Sequence, residues 1–509
     1  MISIPVLLLA SAVSGGVMVA HPEGPASPEL AWLAETVVDQ LPRSVAAAGV
    51  PSIAREDRLA AQEQLGLSTH SVTRATSIRV AEALGAPRLV VGRVDVVDGE
   101  VQISLSLVDV ARGTLSAPLL ARGRVEAILD LVHGLAWDVA LSGSTPPRVT
   151  RAAFDAARPV VPVSAWKLYA QGLGAADAVS RRKLLKAAIA ARPAFDEALL
   201  ALGRDELTAR EEAAALATLG RVSSGGSCGR PARFLRGVAL LNLGRYREAA
   251  ELYGALVAEE STVASLNNQA LARLRLKGGA GEAAGLLRQA IRVEPVASDI
   301  PFNLGWTLLH AGSADEATFW LQGVVKRDAT DTHARVVLSW ALRAVGRGAE
   351  ADAEWAAAST GRAAYTGLAT LDLGRRFERV RTSERLAVLE GEGRSDSELA
   401  ATHLTRADSL LSAGDAEGAL AELLRATYLD PWNPRTQAML ARVRRKEGDS
   451  VRAISAYRMA LWARGDTDVR LELARYLAEL GRAPEAQGEA RRVLATEPDN
   501  EEAKKLAGP

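Results

Sequence analysis

Glycine stands at positions 244, 278, 312 and 346, each 34 residues after the one before. Five residues beyond each lies an alanine (Ala249, Ala283, Ala317, Ala351), and four further on a bulky side chain: Tyr253, Leu287, Leu321, Trp355. A period of this length constrains the chain more tightly than its composition does. It specifies a stacked array of short units, each burying its apolar face against its neighbours instead of in one globular core.

The lattice extends outward from those four glycines. Pro193, Pro295 and Pro431 share one register, and Leu168, Leu202, Leu304 and Leu338 another. Small residues follow three of the leucines (Gly203, Gly305, Ser339), and Gly237 keeps the same place after Arg236. Gly414 and Gly448 continue the turn glycines, with Ala419 and Ala453 five residues on, while Gly481 and Ala486 come one residue early. Each position has a local reason. Glycine takes the backbone conformation of the turn between two helices. Alanine lets the second helix approach the first, the bulky residue fills the space between units, and proline ends the second helix.

This pattern resembles the tetratricopeptide repeat (TPR). Phe302-Asn-Leu-Gly305, Gly312, Ala317 and Leu321 form one good copy, and Leu410, Gly414, Ala419, Leu423, Ala426 and Pro431 another. The resemblance covers residues from about 163 to 507 and implies an all-α right-handed solenoid. One repeat length, 366–399, breaks the lattice: Val380 replaces the turn glycine and Arg385 the packing alanine. A β-branched valine resists positive φ, and arginine is too large for the close contact. Gly374–Thr382 is therefore expected to be an extended or irregular connector. It divides the array into 163–365, about six repeats, and 400–509, three repeats.

Residues 16–141 read as a small mixed α/β domain, making the whole chain α+β. Val17–Ala20 is a short buried strand, Leu30–Ala48 a helix, Val50–Ala54 a second short strand, and 55–65 and 72–84 helices. Arg88–Val97 and Val101–Val110 flank Asp98-Gly99, a tight hairpin signal. Thr114–Val125 is a further strand and Glu126–Leu141 a closing helix. Leu84-Gly85-Ala86, Gly92, Leu107-Val108-Asp109 and Gly113 resemble the TolB-like amino-terminal domain of bacterial envelope and signalling proteins. That resemblance implies a binding or regulatory module without catalytic residues. The chain departs from it at the first strand, where His21-Pro22 stands in place of proline-phenylalanine. Ser142–Pro162, with Pro146, Pro147, Pro159 and Pro162, reads as a linker with one short helical piece inside it.

The apolar start and Ala10-Ser11-Ala12 read as a signal segment, 1–15, and so as export to the periplasm or cell envelope. The alternative is an apolar strand or loop of the first domain in a cytoplasmic protein, since no Lys or Arg precedes the apolar run. No later apolar run is long enough to span a membrane. Sixty-one basic and 61 acidic residues balance, so nothing pulls the chain toward nucleic acid.

The TPR pattern places Phe234, Asn268, Arg275, Phe302, Trp306, Trp340 and Arg343 along one partner-binding groove. Trp306 and Trp340 lie one repeat apart. If exposed and flanked by Arg275 and Arg343, they suit a short peptide with an apolar anchor and a carboxylate. Otherwise they pack as core. Arg435, Arg442, Arg445 and Arg475 form either a basic stripe for an acidic partner or a solvated charged face.

No catalytic, cofactor-binding or metal residue is expected. Gly-Lys-Ser/Thr is absent, the six histidines are scattered, and Gly225-Gly-Ser227-Cys-Gly229 lacks the strand that a nucleophile elbow needs before it. The expected function is a non-enzymatic bacterial adaptor in the envelope that binds a protein or peptide partner. The alternative is a cytoplasmic signalling or regulatory subunit acting through a partner.

Overall fold

The computed structural model describes residues 16–67, 73–143, 146–158, 160–294, 297–359, 374, 376–384, 393–412 and 414–508. The signal segment, Pro295 and Arg385 lie outside them.

The amino-terminal sheet follows the apolar alternation. β1 (Val17–Val19) pairs parallel with β2 (Arg88–Val97), which forms a hairpin with β3 (Glu100–Asp109). Asp98 and Gly99 at its turn both take positive φ, 53° and 80°. Val50–Ala54 forms no strand and contributes a single bridge, Ser52 to Val17. Thr114–Val125 is two strands, β4 (Thr114–Leu115) and β5 (Leu119–Arg124), both paired with β3. Pro118, between them, has no N–H to give the ladder. Successive residues point to opposite faces. Val17, Val90 and Ile103 pack with α1 (Trp32–Ala47) and α4 (Ile128–Leu141). Met18, Leu89 and Val108 pack with residues such as Ala61 and Val80, from α2 (Arg55–Gln64) and α3 (Arg74–Ala83).

The stretch 142–162 does not separate two cores. Its short helix, Arg151–Ala156, buries Phe154 completely, stacked on His133 with ring centroids 3.9 Å apart. Beyond it, the first repeat helix, Val163–Gly174, packs directly on α1: Trp166 Nε1 donates to Thr36 Oγ1 (3.0 Å) and the Tyr169 hydroxyl to Asp39 (3.0 Å).

The repeats are helix pairs: 163–174/178–191, 196–208/212–219, 229–242/246–259, 263–274/280–293, 299–310/314–327 and 332–344/348–359. After the connector come 393–412/416–429, 434–446/450–463 and 467–479/483–494, closed by 501–507. The first helix of the later block thus begins before residue 400. The turn glycines from Gly244 to Gly481 all have φ between 73° and 84°. The lattice alanines are buried, and the small residue after the lattice leucine has a visible reason. A Cβ at Gly237 would meet the Tyr253 ring at 2.5 Å, and one at Gly305 would meet Leu321 at 2.6 Å.

By contact density the chain forms two compact units, Met1–Leu276 with Val380–Leu389, and Lys277–Arg379 with Glu390–Pro509. The first joins the sheet domain to the early repeats, and the second joins the later members of the first repeat block to the last three pairs. Within the second unit helix 314–327 carries the last block: Trp320 stacks with Trp432 (6.3 Å) and Phe319 contacts Trp462 (5.9 Å). Gly323 leaves room for the Trp432 indole, where any Cβ would stand 2.3 Å from Nε1.

Candidate functional site

Residues 376–383 form neither helix nor strand; Arg379 is hydrogen-bonded to helix 299–310 of the second unit, and Arg381 to helix 263–274 of the first. In the second unit, helix 299–310 carries Phe302, Asn303 and Trp306, and helix 332–344 carries Trp340 behind its N-cap Asp331. Trp306 and Trp340 are adjacent, with ring centroids 6.2 Å apart. Neither is exposed: both are at most 2% accessible. Phe377 stands edge-on against both, 5.5 Å from Trp306 and 5.6 Å from Trp340, and 5.6 Å from the His333 ring. Two residues on, the Arg379 guanidinium lies 3.8 Å from the centre of the Phe302 ring and is ion-paired with Asp331. Asn303 holds the backbone of the same residue. Arg379 N–H donates to Oδ1 (2.8 Å), and Nδ2 donates to the Arg379 carbonyl (2.9 Å).

The first unit repeats the device. Asn268 Oδ1 accepts from Arg381 N–H (3.0 Å) and Nδ2 donates to the Arg381 carbonyl (2.8 Å). The amide is fixed from behind: Nδ2 also donates to the Tyr253 hydroxyl (3.0 Å), which donates to the Phe234 carbonyl (3.0 Å), and Asn267 donates to Oδ1. Downstream, Glu384 accepts from Arg230 (2.6 Å) and Ser265 (2.9 Å), and Ser383 donates to Asp57 (2.8 Å). An asparagine side chain offers one acceptor and two donors, enough to match the N–H and C=O of one residue.

Of the groove residues expected from sequence, Asn268, Phe302, Trp306 and Trp340 touch this segment. Phe234 is buried against Tyr253, with ring centroids 5.6 Å apart, and its carbonyl positions the tyrosine that orients Asn268. Arg343 pairs with Asp352 (2.7 Å) on the second helix of its own repeat, and Arg275 sits half-buried at the end of helix 263–274. The ion pair on this face lies within the chain itself. Asp331, the N-cap of helix 332–344, supplies the carboxylate and Arg379 of the connector the cation. Sequence reading missed Asn303, Asp331, His333 and Phe377. One available signal was asparagine inside helices 263–274 and 299–310, where it is a poor helix former and, when buried, demands partners.

The arginines of the basic stripe are each paired with a carboxylate. Arg442 binds Glu472 (2.8 and 2.9 Å), Arg445 binds Glu479 (2.7 Å), Arg435 binds Asp408 (2.6 Å) and Arg475 binds Glu502 (3.0 Å). Burial alone would raise the Glu472 carboxyl, but the Arg442 hydrogen bond and charge outweigh it and hold the group below its usual range.

A separate cavity of about 220 Å³ in the first unit is lined by Asp39, Arg43, Arg55, Glu56 and Arg204 among others. Against the opposing effect of burial, Arg204 and Arg43 pull Glu56 down to about 2, so the charges here neutralise one another. Cys228 is buried, which pushes its thiol up to about 11. Among the described residues no group of three His, Cys, Asp or Glu is placed to hold a metal, and no helix is long and apolar enough to cross a membrane.

Residues 271–332 match the tetratricopeptide repeat family model. A search of curated proteins gives no match. Among solved structures the chain is similar to a TPR protein from Parabacteroides merdae (17% identity, 55% of this chain and 99% of that one, TM-score 0.36). It is also similar to MamA of MSR-1 (17%, 32% and 95%, TM-score 0.29) and to YrrB, described as a TPR protein with an unusual peptide-binding site (18%, 34% and 90%, TM-score 0.29). With residues 271–332 matched and the turn glycines in place, the sequence and the fold support a TPR protein.

Proposed function

We propose that this chain is a non-enzymatic bacterial adaptor that holds an extended peptide segment of a protein partner on the inward helix faces of its repeats. One observation carries the reading: Asn268 and Asn303 each take both backbone groups of one residue of the connector, in the first and second units respectively. Such a grip reads main chain, so it tolerates many sequences and excludes proline at the gripped residue. Aromatic pockets beside it add an anchor. The TolB-like reading of residues 16–141 and the apolar stretch ending in Ala10-Ser11-Ala12 support a place in the cell envelope, the second part of the proposal.

Peptide display against the full chain tests the first part. Selected binders should lose at least about 10-fold in affinity on Asn303→Ala or Asn268→Ala, the scale of one lost buried hydrogen-bonding partner. Binders indifferent to both substitutions would refute it. The mature amino terminus, sequenced from fractionated cells, tests the second: an intact Met1 in the cytoplasm would favour a cytoplasmic regulatory subunit.

A further inference from the structure

We propose that Phe377–Arg379 is a built-in occupant of a peptide site in the second unit, and that the outside partner is an extended segment carrying an aromatic residue followed two positions later by arginine. This rests on the adaptor reading above. Three features of the second unit define the motif. The aromatic subsite is the angle between Trp306 and Trp340, filled by Phe377. The cation subsite is the face of Phe302 beside Asp331, filled by Arg379. Between them Asn303 grips the backbone. In an extended chain side chains i and i+2 fall on the same face, so the two subsites require this spacing and leave the intervening residue free.

The occupant is held as interface peptides are held, by one aromatic anchor, one stacked and paired arginine and main-chain hydrogen bonds. Phe377 and Arg379 are partly buried, and the tryptophans beneath them are fully buried. The Trp306 indole N–H has no hydrogen-bond partner among the described residues, so the occupant leaves one donor of the site unused. A tethered occupant competes at an effective concentration on the order of millimolar. It lowers the apparent affinity for an outside peptide by the fraction of time the site is open. The segment therefore acts as a threshold: weak ligands are shut out, and a ligand that matches the motif displaces it.

The test uses a fluorescein-labelled peptide of the Gly374–Ser383 sequence and the full chain, read by anisotropy. Phe377→Ala/Arg379→Ala should bind the peptide at least about 10-fold more tightly than the wild type. A peptide with the phenylalanine moved one position toward the arginine should lose that gain. Adding Trp340→Ala to the double variant should abolish binding, with circular dichroism confirming the fold. A second measurement needs no variant: saturating peptide on the wild type should speed hydrogen exchange at the Arg379 amide. Equal affinity for wild type and double variant, or unchanged exchange at Arg379 under saturation, would overturn the proposal. A concentration-dependent dimer of the wild type that Phe377→Ala abolishes would also overturn it, since the segment would then serve a second copy. If displayed peptides bind through Asn303 while the chain's own sequence neither binds nor is displaced, the adaptor reading stands and this inference fails. If no peptide binds through either asparagine, both fail.

Discussion

Trp306, Trp340 and Arg442 occupy equivalent lattice positions, yet the two faces they lie on are finished in opposite ways. The tryptophans are covered by Phe377, a residue from outside the helix pairs. Arg442 is satisfied by Glu472 on the first helix of the next repeat, and Arg445, one turn on, by Glu479 of the same helix. An apolar inward face needs a complement that its own repeats do not supply. A charged one can close upon itself by ion pairs between neighbours. The same scaffold position is thus covered by a separate segment in one block and ion-paired to the neighbouring repeat in the other.

The contrast breaks most visibly at Trp306. Its truncation to alanine removes a fully buried ring and should cost about 3–5 kcal/mol, read as a lower urea midpoint by far-UV circular dichroism. Arg442→Ala should cost under about 1 kcal/mol, because the pair is half in solvent and weakened by salt. Comparable losses at both positions would erase the distinction drawn between the faces.

Asn303→Ala comes next in size. It strips the N–H and C=O of Arg379 of their partner, and should cost about 1–3 kcal/mol locally. Faster exchange of the Arg379 amide, with helix amides elsewhere unchanged, is the expected pattern. Global unfolding would show that the segment is core.

The charged face should also respond to acid. Glu472 is depressed in the folded state, so its contribution is complete above its unfolded pKa. It is lost as pH falls through the lower folded value. Titrating the urea midpoint from pH 6 to pH 3 should show a decline that Arg442→Ala reduces and Asn303→Ala leaves alone. The smallest effect is the coupling itself: a double-mutant cycle of Arg445 and Glu479 should give about 0.2–1 kcal/mol, shrinking with added salt.

What could be read in advance divides along the same physical line. Gly244, Ala249 and Tyr253 act on neighbours within one repeat, so their periodic spacing exposes their roles. Asp98-Gly99 is likewise a local signal, and its hairpin follows from two residues. Phe377 meets Trp306 across 71 positions, with no period to announce it. The failed lattice at Val380 marks where the helical pattern stops, but periodicity is silent on where an extended segment docks. Trp306 and Trp340 were legible as a pair on one surface. Their burial depends on a segment outside the helix pairs, and that part was not. The polarity of the site was hidden for a similar reason: Asp331 reads as an ordinary N-cap, which it also is, donating nothing to a pattern search while accepting from Ala334 N–H at 3.0 Å.

The sheet domain's grip on the first repeat has an engineering consequence. Helix stacks end in an exposed apolar flank unless something closes them. Here Thr36 and Asp39 of α1 receive Trp166 and Tyr169, so the α/β domain serves as the array's terminal cap. A fragment beginning at residue 163 would leave two buried aromatic rings bare to water. The sensible expression boundary therefore lies ahead of β1, and the two sequence modules should be purified, crystallised and mutated as one piece.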